Sequence, residues 1–310
     1  MVKTVVLGSI NMDLVVNTDR VPNKGETLIG NKFASYPGGK GANQAIAISR
    51  QGGDVSMIAK IGNGEFGDKL INNLRINNID VNNISKDIGV SSGIAVIFVE
   101  KGGQNRITVL SGANEKVSKS DVIAADDLFN QCNYLVMQLE IPVCTVEYAI
   151  KCAKKKNIKT VLNPSPLPTP LLKEKILQSI DYLIVNEIEA EGLTGISVVN
   201  VDSGLKAAAI LQKRMKGTIL LTLGSNGSIT NVGEQEWHNP PFHVESIDST
   251  GAGDAFVGGF IGCLQKGASL KQAVLHGNAA GALATCKAGA QTSLPTYQET
   301  ETFIKEYSGI

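Results

Sequence analysis

The stretch DSTGAGDAF, from Asp248 to Phe256, sets a carboxylate and two glycines at the start of an apolar helical pattern. Phe256, Val257, Phe260, Ile261 and Leu264 recur at the spacing of one helical face, which predicts a buried helix from about Gly253. The first N–H groups of such a helix lack intrahelical partners, and its dipole adds positive potential there. Gly251 and Gly253 permit backbone angles that let these groups converge, so the turn suits an anion. Asp254 then stands beside an anion site. An aspartate in a first helical turn is favourable without any ligand, so this stretch alone does not decide its role.

Further polar residues recur at predicted strand ends. GSINMD (8–13) places Asn11 and Asp13 just past the first strand, Glu140 closes YLVMQLE, and Asn186 closes YLIVN. PGGKGANQA (37–45) leads into a helix and carries Asn43, whose amide both donates and accepts. Ligands of parallel sheets bind beyond the carboxyl ends of the strands. A carboxylate there can accept hydrogen bonds from two adjacent hydroxyls, with amides completing the ring of contacts around a sugar. Each residue alone has a capping or turn explanation. Their recurrence at strand ends favours a site the size of a polyol.

IGNGEFG (61–67) contains a formal G-x-G-x-x-G between a strand and a helix. It is not the first strand–helix turn, Glu65 puts negative charge in the cradle, and no strand ending in an acid is predicted at the right distance after it. A tight turn, not a dinucleotide site, is the reading. The chain has no G-x-x-x-x-G-K-[ST], G-x-S-x-G or H-E-x-x-H.

The elements that must position these residues alternate. Strands are predicted at 4–9, 55–61, 134–139, 160–164, 182–186 and 218–225. Helices are predicted from about 43 to 48, over 66–76, from Pro142, near 171–179, over 187–194 and 203–214, and from Gly251 onward. That alternation predicts an α/β fold, a central mostly parallel sheet with helices on both faces. Runs near 12–17, 27–36, 93–100 and 106–112 break the rhythm. They predict a small β-sheet lid built from insertions at about 12–36 and 93–112 of a single domain spanning 1–310. Segments 228–239 predict an antiparallel addition, and NPSPLPTP (163–170) a loop.

Bulk composition narrows the classes. Lys+Arg and Asp+Glu are both 29, for a formal net charge of zero, which argues against a binder of nucleic-acid phosphates. Five cysteines without close pairing and three histidines suggest neither a disulfide framework nor a zinc site. The cysteines are expected to be reduced and mostly buried. With no signal-like or membrane-spanning run, the expectation is a soluble cytoplasmic protein with no membrane partner.

Taken in order, GSINMD, GGKGANQA, MQLE, NEIE, TLGSNG, DSTGAGDAF and KAGAQTS closely resemble the ribokinase family of carbohydrate kinases along essentially the whole chain. The resemblance implies ATP-dependent phosphorylation of D-ribose at O5, with 2-deoxyribose or another sugar as the alternative acceptor. It implies that Asn11, Met12, Asp13, Gly39, Lys40, Gly41, Ala42, Asn43, Glu140 and Asp254 bind the sugar. Asn186, Thr222, Leu223, Gly224, Ser225, Asn226, Gly227, Gly253 and Asn278 would bind ATP, and Glu189 would lie near Mg²⁺ through water. An activating K⁺ would sit among Asp248, Thr250, Ala284, Lys287, Gly289 and Ser293, and the lid sheet would pair two subunits as a homodimer. In such a transfer, the backbone amides of Gly251, Ala252, Gly253 and Asp254 form the anion hole. Asp254 accepts the proton of the attacking hydroxyl.

Overall fold

The computed structural model describes residues 3–102, 104–168 and 172–308. β1 (Lys3–Leu7) is buried at every position but its first, as a strand covered on both faces must be. Its side chains alternate between two apolar clusters: Val5 and Leu7 join one, Val6 the other. The chain then enters β2 (Asn11–Thr18) and β3 (Lys32–Gly38), followed directly by α1 (Lys40–Arg50). β4 (Asp54–Gly62), α2 (Glu65–Ile76) and β5 (Asp80–Asp87) come next, then the hairpin of β6 (Gly93–Glu100) and β7 (Asn105–Leu110). A 3₁₀ turn at Gly112–Lys116, α3 (Lys119–Ala124) and α4 (Asp126–Phe129) lead to β8 (Cys132–Met137).

From there the alternation is regular: α5 (Val143–Lys155), β9 (Lys159–Leu162), α6 (Glu174–Leu177), β10 (Tyr182–Val185), α7 (Glu187–Thr194), α8 (Val201–Arg214) and β11 (Thr218–Thr222). An antiparallel pair, β12 (Ser228–Val232) and β13 (Gln235–Asn239), closes the sheet edge, and α9 (Ala252–Gln265), α10 (Leu270–Thr285) and α11 (Tyr297–Ser308) complete the chain.

Among the described residues, one sheet runs β13-β12-β11-β10-β9-β8-β1-β4-β5 and the second runs β3-β2-β6-β7. In the large sheet every pairing from β11 to β5 is parallel. The chain builds outward from β1 to β4 and β5, then crosses to β8 on the other side. The strand order therefore reverses between β1 and β8, the place where such sheets open a crevice for ligands.

Several boundaries differ from the sequence reading. β5 is the strand that reading lacked. DVNNISKD is polar because β5 is an edge strand paired only with β4, so it needs no apolar run. It also ends in Asp87, so the supposed absence of a strand with a terminal acid after IGNGEFG does not hold. α1 begins at Lys40, not after Asn43. The helix expected at 171–179 is the single turn Glu174–Leu177, because the chain must already reach Asp181, whose N–H bonds the Thr160 carbonyl. Residue 171 of that expectation, and residues 169 and 170 of the expected loop, lie outside the described residues. The strand expected at 27–36 is 32–38. Of the cysteines only Cys132 and Cys263 are buried, and Cys144 is exposed.

Candidate active site

α9 lies directly on α1. A methyl group on Gly258 would come within 2.4 Å of the Ala47 Cβ, so glycine lets the two helices touch. This contact carries Asp254, in the first turn of α9, to the first turns of α1. Asp254 is 7 % exposed. Its Oδ2 accepts from Asn43 Nδ2 at 3.0 Å and its Oδ1 from Gln44 Nε2 at 3.0 Å. Gln291 Nε2 donates to Asn43 Oδ1 at 2.9 Å, and Gln138 Nε2 donates to Gln44 Oε1. Gln44 Nε2 donates also to Asn163 Oδ1 at 3.2 Å, and Asn163 Nδ2 reaches Glu189 Oε2 at 3.3 Å. A chain of amides thus joins Asp254 to Glu189. Gln44, Gln138, Asn163 and Gln291 were absent from the sequence reading. Asn163 carries the strand-end signal that singled out Asn186, and Gln44 and Gln138 sit inside GGKGANQA and MQLE.

The polyol residues meet where β1 and β8 diverge. Glu140 Oε2 accepts from the Lys40 amide at 3.0 Å and from the Ser9 hydroxyl. The Ser9 carbonyl accepts from the Ala42 amide at 2.9 Å, and its hydroxyl from that of Gly41 at 3.2 Å. Asn11 and Met12 are buried at the start of β2, and Asn114 Nδ2 donates to Asn11 Oδ1 at 2.7 Å. Asp13 extends over Gly38, where a Cβ would lie 2.2 Å from its Oδ2. Gly39 packs on the Asn11 amide. Burial, and then the charge of Glu140, push the Asp13 carboxyl up to about 7. Among the described residues no salt bridge pairs either carboxylate, so both keep acceptor capacity for hydroxyl donors.

The helix start has unbonded amides as an anion site would need, and it differs from the sequence reading in two respects. Gly251 adopts φ +81°, a left-handed angle, and accepts the Ala255 N–H at 2.8 Å. The Ala252 amide turns back to the Ser249 carbonyl at 3.2 Å. Among the described residues no hydrogen bond engages the amides of Gly251, Gly253 or Asp254, so three of the four expected donors are free. Gly253 has no positive φ, and a Cβ there would meet nothing within 4 Å. Its use is open space, not backbone freedom.

That space belongs to a cavity of about 500 Å³. Ala252 and Gly253 line it together with Asn186, Thr222, Gly224, Ser225, Gly227 and Asn278. Asn278 Nδ2 is buried without a partner, a donor awaiting an acceptor. Leu223, Asn226 and Glu189 do not line the cavity: Leu223 is in the core, the Asn226 carbonyl bonds His238 Nε2, and Glu189 is buried. Glu189 closes a capping box on α7. Its Oε2 accepts the Asn186 amide at 3.0 Å, while no bond engages Oε1 among the described residues. Pro241 and Phe242 add a wall that the sequence reading did not foresee. Phe242 is backed by Phe303 and Tyr307 of α11, at ring separations of 5.2 and 4.8 Å.

Behind the anion corner, Asp248 Oδ1 accepts from the Thr250 amide at 2.9 Å and hydroxyl at 2.7 Å, and Oδ2 from the Gly289 amide at 2.8 Å. Burial opposes its charge, but these donors outweigh burial and hold the carboxyl below its ordinary value. Ser293 Oγ donates to the Ala290 carbonyl at 3.0 Å. Asp248, Thr250, Gly289 and Ser293 therefore share one stitched loop corner. Ala284 ends in the core, and the Lys287 side chain points away to Glu299 at 3.1 Å, leaving only their backbones to contribute. Around IGNGEFG a separate cavity measures only about 220 Å³, below the size of dinucleotide pockets.

The family model for pfkB family carbohydrate kinases matches residues 1–297. The chain belongs to that family. This carbohydrate kinase is 39 % identical over 300 residues to a ribokinase of Haemophilus influenzae, covering 97 % of each chain. It is 36 % identical over 303 residues to a deoxyribokinase of Salmonella typhi, covering 96 % of this chain and 97 % of that one. Its fold matches that of Arabidopsis thaliana ribokinase complexed with ribose and ATP, with TM-score 0.90, 28 % identity and coverage of 98 % and 99 %. Thermotoga maritima ribokinase gives TM-score 0.88 at 33 % identity over 98 % of this chain and 99 % of that one.

Proposed function

We propose that this kinase transfers the γ-phosphoryl group of ATP to O5 of D-ribose, giving ribose 5-phosphate. One observation carries the reading: the buried Asp254 carboxylate and the unbonded amides of Gly251, Gly253 and Asp254 share one helix start. The sugar lies on the Asp13–Glu140 side and the nucleotide in the large cavity, so attacker and phosphoryl group meet at this corner. Asp254 takes the hydroxyl proton as the O–P bond forms, and the amides hold the charge on the transferring group.

Magnesium arriving with the nucleotide neutralises phosphate charge. Asn186 and the free Oε1 of Glu189 are the groups that would hold it, through water. The oxygen-rich corner of Asp248, Thr250, Gly289 and Ser293 suits a monovalent cation such as K⁺, with backbone carbonyls from Ala284 and Lys287. The second sheet covers the sugar side as a lid. Its exposed Tyr36, Ile107 and Val109 share one face and are the surface through which two copies would pair. Five free cysteines fit a reducing, cytoplasmic setting, and among the described residues no helix is long and apolar enough to cross a membrane.

The second reading, a preference for 2-deoxyribose, is favoured by the 36 % identity to a deoxyribokinase. The test is an ADP-release assay over a sugar panel with ATP and Mg²⁺, with and without K⁺. Ribose is expected to give the highest kcat/KM, and faster turnover with K⁺. ADP release that no pentose stimulates would overturn the function.

A further inference from the structure

Gln44 is fully buried, yet all its side-chain hydrogen bonds go to other polar side chains of the site, none to backbone. Gln138 donates to Gln44 Oε1, which forces the Gln44 amide nitrogen to face Asp254. Both N–H bonds of that nitrogen are used, one on Asp254 Oδ1 and one on Asn163 Oδ1. Asn163 is fixed in turn, since its own nitrogen donates to the Ile184 carbonyl at 3.0 Å and to Glu189. Gln138 holds this arrangement at a cost. Its Oε1 is buried, has no partner among the described residues, and faces Gly8, where a Cβ would lie 2.1 Å away. An unsatisfied buried carbonyl on a side chain one amide removed from Asp254 calls for a functional explanation.

We infer that Gln44 is a positioning residue for the Asp254 base, locked as a donor by Gln138 and linked through Asn163 to the Glu189 side of the nucleotide site. The inference rests on the phosphoryl-transfer reading above. In that step the sugar O–H bond breaks, its proton bonds to Asp254, the O–P bond forms, and the bond from phosphorus to the ADP oxygen breaks. Asp254 must present a free lone pair to the sugar while its rotation is fixed from behind. Asn43 and Gln44 grip one oxygen each, but Asn43 is fixed from the loop at Gln291 and Gln44 from the sheet. The Gln44 side therefore ties the base to the metal-side carboxylate.

Two variants test this. Gln44→Met keeps the length of the side chain and removes its donor. It is expected to lower kcat by about tenfold or more, with KM for ribose and for ATP within about twofold of the parent. Gln44→Glu restores the donor only while the new carboxyl is protonated. The charged groups it would face are Asp254 on α9 and, beyond Asn163, Glu189 on α7; Gln138, just past β8, and Asn163 itself are neutral. Its kcat relative to the parent enzyme is therefore expected to be highest at acid pH and to fall as pH rises. A merely structural glutamine would give no such divergence.

Unchanged kcat in Gln44→Met, or a Gln44→Glu profile parallel to the parent's, would overturn the inference. Should Gln44→Met fail to fold, as judged by its melting transition, Gln138→Met decides. Lowered kcat at unaltered KM supports the inference, and parental kcat refutes it. Parent enzyme turning over ribose, with Asp254→Asn inactive, leaves the functional reading standing whichever way the Gln44 variants behave.

Discussion

The corner around Asp254, proposed to accept the proton, and the cavity proposed for the nucleotide meet at one helix start but are built in opposite ways. Around Asp254 the groups are side-chain amides, buried or half-buried and mutually bonded, drawn from α1 and the segments after β8, β9 and α10. The large cavity is lined instead by glycines, small hydroxyls and unbonded amide groups against the apolar wall of Pro241 and Phe242. The difference follows from what each must do. A base has to hold one orientation within a fraction of an ångström, so its partners are satisfied before substrate arrives. A phosphate site has to offer donors that nothing else occupies, so its amides stay free.

The comparison can be broken first at the polyol residues. Asp13→Asn removes the charged acceptor for sugar hydroxyls and is expected to weaken ribose binding roughly 100-fold by calorimetry, leaving ATP binding intact. The same change should stabilise the ligand-free protein. Asp13 has a folded-state value of about 7 against 3.8 normally, so its contribution is fully present below about pH 3.8 and is lost as pH rises to 7. The gain in Tm on Asp13→Asn is thus expected to grow over that window and level off above pH 7. A gain independent of pH would contradict the burial account.

A smaller effect is expected at the anion corner. Gly251→Ala puts a side chain at φ +81° and a methyl 2.9 Å from the Ala290 carbonyl oxygen. The strain of about 1–2 kcal/mol should lower kcat around tenfold with little change in ribose affinity. Equal loss of ribose binding would show that the two regions are not separable in this way. Smallest is the pH effect in the parent enzyme. Hydroxyl donors favour the ionised Asp13, so ribose should bind about fourfold more weakly at pH 6.5 than at pH 8.

The same contrast explains what the sequence made legible. Parallel strands buried on both faces are apolar runs, so β1, β8, β10 and β11 were plain from VVL, YLVM, YLIV and TILL. β5 was not, because an edge strand carries no such run. Asn11, Asp13, Asn43, Glu140 and Asp254 were singled out through strand ends and Gly-rich turns, which are local signals. The amide chain has no local signal. Gln44 meets Gln138, Asn163 and Asp254 across 94, 119 and 210 residues, and only the packing of α1 against α9 and against the segments after β8 and β9 brings them together. Ala252 and Gly253 show the converse limit. Their place at the helix start was readable, but not which amide turns back to Ser249.

The central claim is that Asp254 removes the sugar proton beside an anion hole that works without it. Its most direct test is single-turnover phosphoryl transfer by Asp254→Asn with saturating ribose, ATP and Mg²⁺, alongside calorimetric ribose binding. The account predicts ribose affinity within a few-fold of the parent and a transfer rate lower by at least about 100-fold. Transfer at near-parental speed would contradict it.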